Sequence, residues 1–522
     1  MSRTAPSRHG ATGPPERLPS GFAEAVDAAE RRGWDEVARL AEVLAEIERG
    51  ADIDAARSAL TLLVGTPKAV ARLDENARRR LWWSPRSRPA IDAVMSHLNS
   101  SAIGPIGLAL ASTHADGRVR ETAVARIVAA PVAELMPFLL LRTTDWVQQV
   151  RDRARAGLAL LLADDLAAML PAALGMALLI DGRLRGGFAR TQLTAALTTA
   201  PVALRQRLAA SPDREQRRLV FDTGLAQRWW RIEQLLAFAE SDADIRIRSR
   251  AAEAACREAV WTRRTATLQR LARSAHSEVR VQALTGLSRA GYDDQVSPYL
   301  DDESALVRAV ARDAVRRAGG DALAHYRRAV AQEVPALGAV AGLAETGSSG
   351  DAASIELLLA HPDAELRAQA VLGLLQLDAV PAGKVIALLR DPSADVVRVA
   401  GAVLRRRNVA VPAALLWELL GDGRAELRLA GYRFLRAGTG ATQLRAALIL
   451  AADADPRLAG RGRADATRLA RDVAVRDQRR PSPRALTVTA GELADLEEVI
   501  ARAAESLGAE TTAVLLSLRG TR

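Results

Sequence analysis

Apolar residues recur along most of the chain at the three- and four-residue spacing of amphipathic helices. From Phe22 onward these runs are short, and Gly33, Gly50 and Gly65 close the first of them. Pro67 follows at a position that suits the first turn of a helix. The pattern predicts a succession of short α-helices that are joined by tight turns.

A longer period is superimposed on the helical one. It consists of an aliphatic residue, an arginine, two further residues, a small residue and, four positions later, usually an apolar residue. Examples are VRETAVARI at Val119 and LRAQAVLGL at Leu366. Clear copies occur at intervals close to multiples of about 30 residues. Their arginines are Arg120, Arg151, Arg248, Arg280, Arg308, Arg367, Arg398 and Arg428.

Each period is long enough for two helices and two turns, and its apolar and small positions share one helix face. A single unit cannot bury such a face alone, so neighbouring units must stack. Degenerate copies fill the gaps in the series, which gives about twelve units between residues 100 and 475. These copies lie near Arg190, at Arg217 or Arg218, at Ala336 and at Arg457.

In this repeat the sequence resembles the HEAT family, particularly the short bacterial and phycobilisome-lyase-like kind. An acidic residue six positions before the arginine extends the resemblance. The resemblance implies an all-α fold, an α-solenoid or armadillo-like superhelix of stacked HEAT-type helical hairpins, in which acid and arginine form a ladder between units. The expected ladder residues are Asp145 and Arg151, Asp242 and Arg248, Asp302 and Arg308, and Asp422 and Arg428. Looser stacking is expected where His114, Ser274, His361 and Pro392 take the acidic position.

The segments outside the repeats differ in composition. Residues 1–20 are rich in Pro, Ser, Gly and Arg and predict a disordered arm. Residues 21–99 predict a helical region of degenerate repeats or a cap. Residues 476–522 predict a linker and capping helices, because Thr489 and Glu492 have the spacing of a capping box and Gly508 follows as a stop.

The chain is basic, with a formal net charge of +10. Clustered basic residues are typical of nucleic-acid binding. Only Lys68 and Lys384 are lysines, however, and the charge is spread over the whole chain. Residues 183–234 are the most basic part and are the best candidate for a phosphate-facing surface. The single cysteine, Cys256, excludes an intramolecular disulfide and fits a cytoplasmic location. We expect no leader and no membrane span.

Tryptophan is the unusual residue type, because six of the eight lie between residues 82 and 261. Trp230 and Trp261 are one period apart, which predicts equivalent and neighbouring positions in successive units. Core filling is the ordinary role of such residues. Flanking arginines favour a binding surface, since Trp and Arg dominate interface hot spots and stack on bases. The predicted partner-binding residues are Trp82, Trp83, Arg86, Arg88, Trp146, Arg228, Trp229, Trp230, Arg231 and Trp261.

No phosphate-binding loop, HExxH motif or other metal spacing occurs, so we expect no cofactor, no metal and no catalytic residue. The sequence therefore predicts a non-enzymatic scaffold or adaptor that binds a protein partner on its concave surface. The alternative is a DNA- or RNA-binding repeat protein. Asp145 beside Trp146 resembles the Asp and aromatic residues of alkylpurine DNA glycosylases built from HEAT-like repeats, although its ladder position already explains it. The other branch of the resemblance implies a bilin lyase.

Overall fold

The computed structural model describes residues 18–19, 21–31, 33–78, 88–100, 102–438, 440–474 and 490–517. These residues form thirty-one α-helices and five short 3-10 helices, and no strand lies among them. The chain divides into two compact units, residues 1–251 and 252–522. The predicted repeat segment extends through both units, and most of the predicted N-terminal arm lies outside the described residues.

Fourteen helices lie wholly within the first unit, which also contains the 3-10 segment Ala133–Leu135. Their bounds are α1 Phe22–Arg31, α2 Trp34–Arg49, α3 Ile53–Val64, α4 Pro67–Arg78, α5 Arg88–Ser96, α6 Pro105–Ser112, α7 Gly117–Ala129, α8 Met136–Arg142, α9 Gln148–Asp164, α10 Leu166–Ile180, α11 Gly187–Thr199, α12 Val202–Ala209, α13 Arg214–Ala226 and α14 Ile232–Ser241. Helix α15, Ile245–Trp261, contains the boundary between the units.

The second unit continues the alternation of short helices and tight turns. Its helices are α16 Thr265–Ala272, α17 Ser277–Arg289, α18 Asp293–Val296, α19 Ala305–Arg317, α20 Ala322–Val330, α21 Leu337–Thr346, α22 Ala352–Leu357, α23 Ala364–Gln376, α24 Ala382–Ala387, α25 Ala394–Arg406, α26 Ala413–Leu420, α27 Ala425–Leu435, α28 Gly440–Ala451, α29 Pro456–Ala474, α30 Ala490–Leu507 and α31 Ala509–Ser517. Its 3-10 segments are Ser297–Asp301, Ser349–Asp351, Leu358–Ala360 and Leu388–Arg390.

Consecutive helices pair into hairpins, and the hairpins stack. In the second unit the second helices α17, α19, α21, α23, α25 and α27 contact one another in series, and each packs on the first helix of its own hairpin. In the first unit α7, α9, α11 and α13 form a corresponding series. The small residue of the repeat is buried between these layers, as Ala123 and Ala370 show. The predicted all-α solenoid class is confirmed for each unit taken by itself.

Arginine rungs join successive turns at several places in the chain, and Arg367 shows their geometry. Its Nη1 atom donates to the carbonyl oxygens of His361 at 2.8 Å and Pro362 at 2.9 Å, in the turn of its own hairpin. Its Nε and Nη2 atoms donate to the two carboxylate oxygens of Asp391 in the next turn, each at 2.8 Å. Asp391 in turn accepts a hydrogen bond from the N–H of Ser393. One guanidinium thus ties two successive turns together.

The same arrangement recurs in both units. Carboxylate partners from the following hairpin are found for Arg120 at Asp145, Arg280 at Asp302, Arg308 at Glu345 and Arg428 at Asp453. In α13 two arginines divide the role, since Arg217 bonds the carbonyls of its own turn and Arg218 bonds Asp244. The four predicted ladder arginines donate to the backbone carbonyl six positions earlier, namely Arg151 to Asp145, Arg248 to Asp242, Arg308 to Asp302 and Arg428 to Asp422. Because the acceptor is a backbone carbonyl, the replacements Ser274 and His361 supply it equally well.

The hairpin of Arg398 departs from this pattern. Arg398 pairs with Asp395 of its own helix, and both side chains are largely exposed. Relative to the N-caps Asp363 and Ser393, Val397 occupies the position of Arg367. The carbonyls of Asp391 and Pro392 accept instead from Arg424 of the next hairpin. The carboxylate of Asp422 accepts a hydrogen bond from the backbone N–H of Arg424. At Pro392, where looser stacking was expected, Arg424 therefore supplies the link between the two turns.

These contacts predict unequal stability effects for two arginines of the sequence repeat. Arg367→Ala leaves the buried Asp391 carboxylate without its bidentate partner, and we expect a loss of about 1–3 kcal/mol in the free energy of unfolding. Arg398→Ala is the matched control and removes an exposed pair within one helix, so its loss is about 0.5 kcal/mol or less. Urea unfolding followed by circular dichroism measures both. Equal losses would contradict the rung as the connection between hairpins.

The pH dependence of that difference follows from Asp391. Burial raises the pKa of Asp391, but the hydrogen bonds from Arg367 and Ser393 outweigh it and hold the pKa below its usual value. A carboxyl whose pKa is lower in the folded state stabilises the fold above its unfolded pKa of about 4, and this contribution disappears as pH falls through the folded value. The gap between the wild-type protein and Arg367→Ala should therefore persist at pH 7 and shrink below pH 4.

Candidate protein-binding groove

The structure separates the predicted tryptophan residues into different surroundings. Trp82, Trp83 and Arg86 lie outside the described residues, and Arg88 is the first residue of α5. Trp146 lies in the turn before α9 with 52% of its surface exposed. The guanidinium of Arg120 lies over its ring, 4.6 Å from the centroid. Trp146 therefore covers the outer side of a rung.

The two tryptophans one period apart do not have equivalent surroundings. Trp261 is the last residue of α15 and is 84% exposed. Trp230 lies in the loop between α13 and α14 and is half-buried. The reason is helix length, because α15 has 17 residues and α13 has 13. The same spacing therefore places one ring at the end of a helix and the other in a loop that folds back on its helix.

Trp230 belongs to a cluster of four aromatic rings in the first unit. Its ring stacks on Phe221 with centroids 6.4 Å apart and meets Phe238 edge-on at 5.1 Å. Trp229 packs edge-on against Trp230 at 6.1 Å. The indole Nε1 of Trp230 donates to the carbonyl oxygen of Phe221 at 3.1 Å. These contacts fix the ring, and the hydrogen bond satisfies its polar atom.

Two backbone features, one in the last turn of α13 and one just after it, allow that placement. A Cβ atom on Gly224 would lie 2.3 Å from the Trp230 ring, so only glycine lets the indole lie against α13. Arg228 has a left-handed backbone with φ of 56°, which reverses the chain after α13. The side chains of Arg228 and Arg231 are exposed on either side of the tryptophan pair.

An open groove of about 560 Å³ lies beside this cluster, between α12 and α14. Trp230 and Phe238 line it together with small residues such as Ala210 and Ala237, so its surface is mainly apolar. Outside the groove, the guanidinium of Arg205 lies over the Trp229 ring, 4.3 Å from the centroid. A mostly apolar concavity with a few polar groups is typical of binding sites.

Sequence reasoning identified Trp229, Trp230 and the flanking arginines but missed Phe221, Phe238 and the groove. The available signal was aromatic density, because these four rings lie between residues 221 and 238 of a chain with only 3% aromatic residues. The groove itself depends on the backbone reversal after α13. No spacing in the sequence indicates that reversal.

The basic segment 183–234 is largely engaged within the fold. Arg190 pairs with Asp181, and Arg218 pairs with Asp244 and Glu215. Six of its ten arginines contact a carboxylate, a backbone carbonyl or an aromatic ring of the fold: Arg190, Arg205, Arg207, Arg214, Arg217 and Arg218. These contacts engage part of the positive charge of the segment, while Arg190 and Arg214 are still more than half exposed.

Asp145, the residue that resembles a glycosylase aspartate, lies in a fully buried charge network. Arg120 donates to both of its carboxylate oxygens at 2.9 Å, and Arg142 donates to one of them at 3.0 Å. Arg142 also pairs with the buried Asp74 of α4. Burial raises the pKa of Asp145, but hydrogen bonds from Arg120 and Val147 and the charge of Arg142 outweigh it, so the pKa is lowered. Both oxygens of its carboxylate are therefore engaged by arginines of the fold.

Other catalytic chemistry finds little support in the part of the chain that the structure describes. No group of three His, Cys, Asp or Glu residues there could hold a metal ion. Cys256 is buried, and burial raises the pKa of its thiol to about 12, which disfavours the nucleophilic thiolate. Of the described helices, none is both long and apolar enough to cross a membrane.

No family model matches the chain, and no curated protein matches it. Among solved structures it is similar to Kap95p in a structure with RanGDP, with a TM-score of 0.31, 11% identity, and coverage of 94% of this chain and 67% of that one. Kap121p bound to the extreme C-terminus of the protein phosphatase Cdc14p gives a TM-score of 0.30 and 13% identity, with 95% and 65% covered. The chain spans 56% of the length of a Kap121p mutant that it also matches. Similarity this weak says nothing about what the chain binds.

The buried network makes a prediction about Asp145. Asp145→Asn leaves Arg120 and Arg142 with one carboxylate fewer in a site without water access, and we expect a loss of about 3–5 kcal/mol in the free energy of unfolding. Asp116→Asn is the control, because the exposed Asp116 caps α7 and asparagine caps equally well. Thermal unfolding measures both variants. A fold unaffected by Asp145→Asn would instead favour a functional carboxylate.

Proposed function

We propose that the protein is a non-enzymatic repeat scaffold that anchors a protein partner in the groove beside Trp230. The supporting observation is an aromatic ring that is rigidly held yet half-exposed at an open, mainly apolar concavity. A partner that inserts an apolar side chain there buries apolar area. Little conformational entropy is lost on the side of the groove, because the Trp230 ring is already fixed. Large tryptophan surfaces with neighbouring arginines are typical of interface hot spots.

The proposal includes membership of the short-unit HEAT type, with residues 100–475 as the repeat array. Its support is the recurrence of one arginine per unit that bonds its own turn and the following one. We place the binding surface on the first helices of the hairpins, because α12 and α14 form the groove. We also propose a cytoplasmic location, which suits a single, buried cysteine.

The two alternatives are less well supported. Nucleic-acid binding through residues 183–234 requires arginines that are free to contact phosphates, whereas six of the ten have partners within the fold. Glycosylase-like chemistry requires an accessible aspartate, whereas Asp145 is buried between two arginines. Bilin-lyase activity has no supporting feature in the described residues.

A charge placed in the groove tests the proposal without disturbing the core. Ala237 is exposed on α14 and lines the groove, so Ala237→Glu introduces a charged side chain where the partner would pack. We expect partner affinity to fall by roughly tenfold or more while the melting temperature stays within about 2 °C. Ala195→Glu, on the exposed face of α11 away from the groove, is the matched control and should bind as the wild-type protein does.

The partner for this measurement is first identified by mass spectrometry of material that co-purifies with the wild-type chain, with nuclease treatment as a parallel arm. Binding through desolvated apolar contacts depends weakly on salt, whereas phosphate binding falls with a slope of about 0.9 per phosphate neutralised. A partner that is nucleic acid, or a protein whose binding is unaffected by Ala237→Glu, would overturn the proposed function.

A further inference from the structure

A second concavity, of about 480 Å³, lies in the second unit between α27 and α29, and arginines dominate its lining. Arg433 and Arg436 come from α27 and its C-terminal end, and Arg461 comes from α29. Arg433 is half-buried and Arg461 is exposed. Among the described residues, no carboxylate lies within 4 Å of the guanidinium groups of Arg433 and Arg461. Arg433 thus differs from the half-buried Arg280, Arg367 and Arg428, each of which has a carboxylate partner.

The acidic residue in this pocket is already engaged. Asp465 accepts hydrogen bonds from the Tyr432 hydroxyl at 2.6 Å and from Arg436 at 2.8 Å. Burial raises the pKa of Asp465, but the hydrogen bonds from Arg436 and Tyr432 outweigh it, so the pKa is lowered and the group stays ionised. Asp465 thus neutralises Arg436, and it is not available to the other two arginines.

The helices that carry these arginines are held closely against their neighbours. A Cβ atom on Gly431 would lie 2.6 Å from the carbonyl oxygen of Leu416, so α27 approaches the backbone of α26. A Cβ atom on Gly462 would lie 2.3 Å from the backbone nitrogen of Ala451, so α29 approaches α28 in the same way. These contacts hold α27 against α26 and α29 against α28.

The cations are crowded. Burial lowers the pKa of Arg433, and the charges of Arg461 and Arg398 lower it further. Burial also lowers the pKa of Arg405, to which Arg433 contributes. Repulsion among like charges destabilises the empty arrangement, and a bound anion would relieve it. This repulsion is present at a concave site, whereas the rung arginines Arg280, Arg367 and Arg428 are each neutralised by an aspartate.

We propose that this pocket binds a phosphate monoester dianion, held by Arg433 and Arg461. Guanidinium groups match tetrahedral phosphoryl oxygens with paired, charge-assisted hydrogen bonds. One phosphoryl group of charge about −1.5 to −2 neutralises both arginines, whereas a single carboxylate or phosphodiester neutralises one. The same chemistry is offered by a free phosphorylated metabolite and by a phosphorylated side chain of a protein. This inference does not depend on the groove beside Trp230.

Isothermal titration of the full chain tests the proposal with four probes. These are inorganic phosphate, a phosphoserine peptide, the same peptide with glutamate at that position, and a single-stranded oligonucleotide. We expect one saturable site for inorganic phosphate and for the phosphoserine peptide, because both present a phosphoryl dianion. The peptide binding more tightly would identify a protein source, and equal affinities would identify a free phosphorylated ligand. Both outcomes support the site.

The variants locate that site. Arg433→Gln with Arg461→Gln should weaken phosphate binding roughly tenfold or more, since both charge-assisted donors of the site are lost. Arg328→Gln with Arg264→Gln is the matched control, because it removes two exposed arginines of the same unit away from the pocket. Arg461→Gln alone changes an exposed side chain and keeps the test valid if the double variant fails to fold.

Several results would overturn the proposal. One is the absence of saturable phosphate binding, and another is unchanged binding in the Arg433 and Arg461 double variant. Tighter binding of the glutamate peptide would make the pocket a site for acidic segments. Equal binding of the oligonucleotide would make it a nucleic-acid contact.

Discussion

The fold depends on an arginine whose two edges bind different turns. Helix ends leave backbone groups without partners, and a stack of short helices has many such ends. In the rung of Arg367 the guanidinium satisfies carbonyls at the end of one first helix, and Asp391 satisfies the N–H of Ser393, the N-cap residue of α25. Each rung therefore completes two helix ends and links them. Only the planar, five-donor guanidinium can do this, which accounts for the arginine at this position of the repeat.

The arginines of the chain differ in burial and in their partners, and these differences separate structural arginines from those that are open to a ligand. At Arg120 and Asp145 the rung is fully buried and recruits Arg142 and Asp74, so four charges share one site without water. At Arg398 the rung is absent and the arginine is exposed. Arg433 and Arg461 have no acidic partner among the residues that the structure describes. The same residue type thus serves stacking in one place and leaves uncompensated charge for a ligand in another.

The sequence was informative about features that repeat. Helix spacing, the period of about 30 residues and the ladder arginines all follow from local patterns that every unit must satisfy. The sequence could not identify the partner of each acid, because Asp302 bonds Arg280 of the preceding unit through its carboxylate and Arg308 of its own through its carbonyl. It also missed Glu345, which comes from a second helix rather than a turn.

Features that occur once were the least predictable. Trp230 and Trp261 share a spacing, yet the greater length of α15 exposes one ring while the loop after α13 half-buries the other. The groove beside Trp230 requires Gly224 and the left-handed Arg228, whose roles appear only with the backbone. The pocket of Arg433 and Arg461 depends on which acids are already bonded. Such sites arise from departures from the repeat.

The central claim is that the period from one rung arginine to the next is the structural unit, and deletion tests it directly. Removing residues 367–396 joins Leu366 to Val397 and takes out one whole period, measured from the N-cap Asp363 to the N-cap Ser393, whereas removing residues 367–381 takes out about half. Circular dichroism and urea unfolding should show that the first deletion leaves a soluble, cooperatively folded helical protein. The second should aggregate or lose helicity, because it leaves a helix without its partner. Equal tolerance of the two deletions, or collapse of both, would contradict the account.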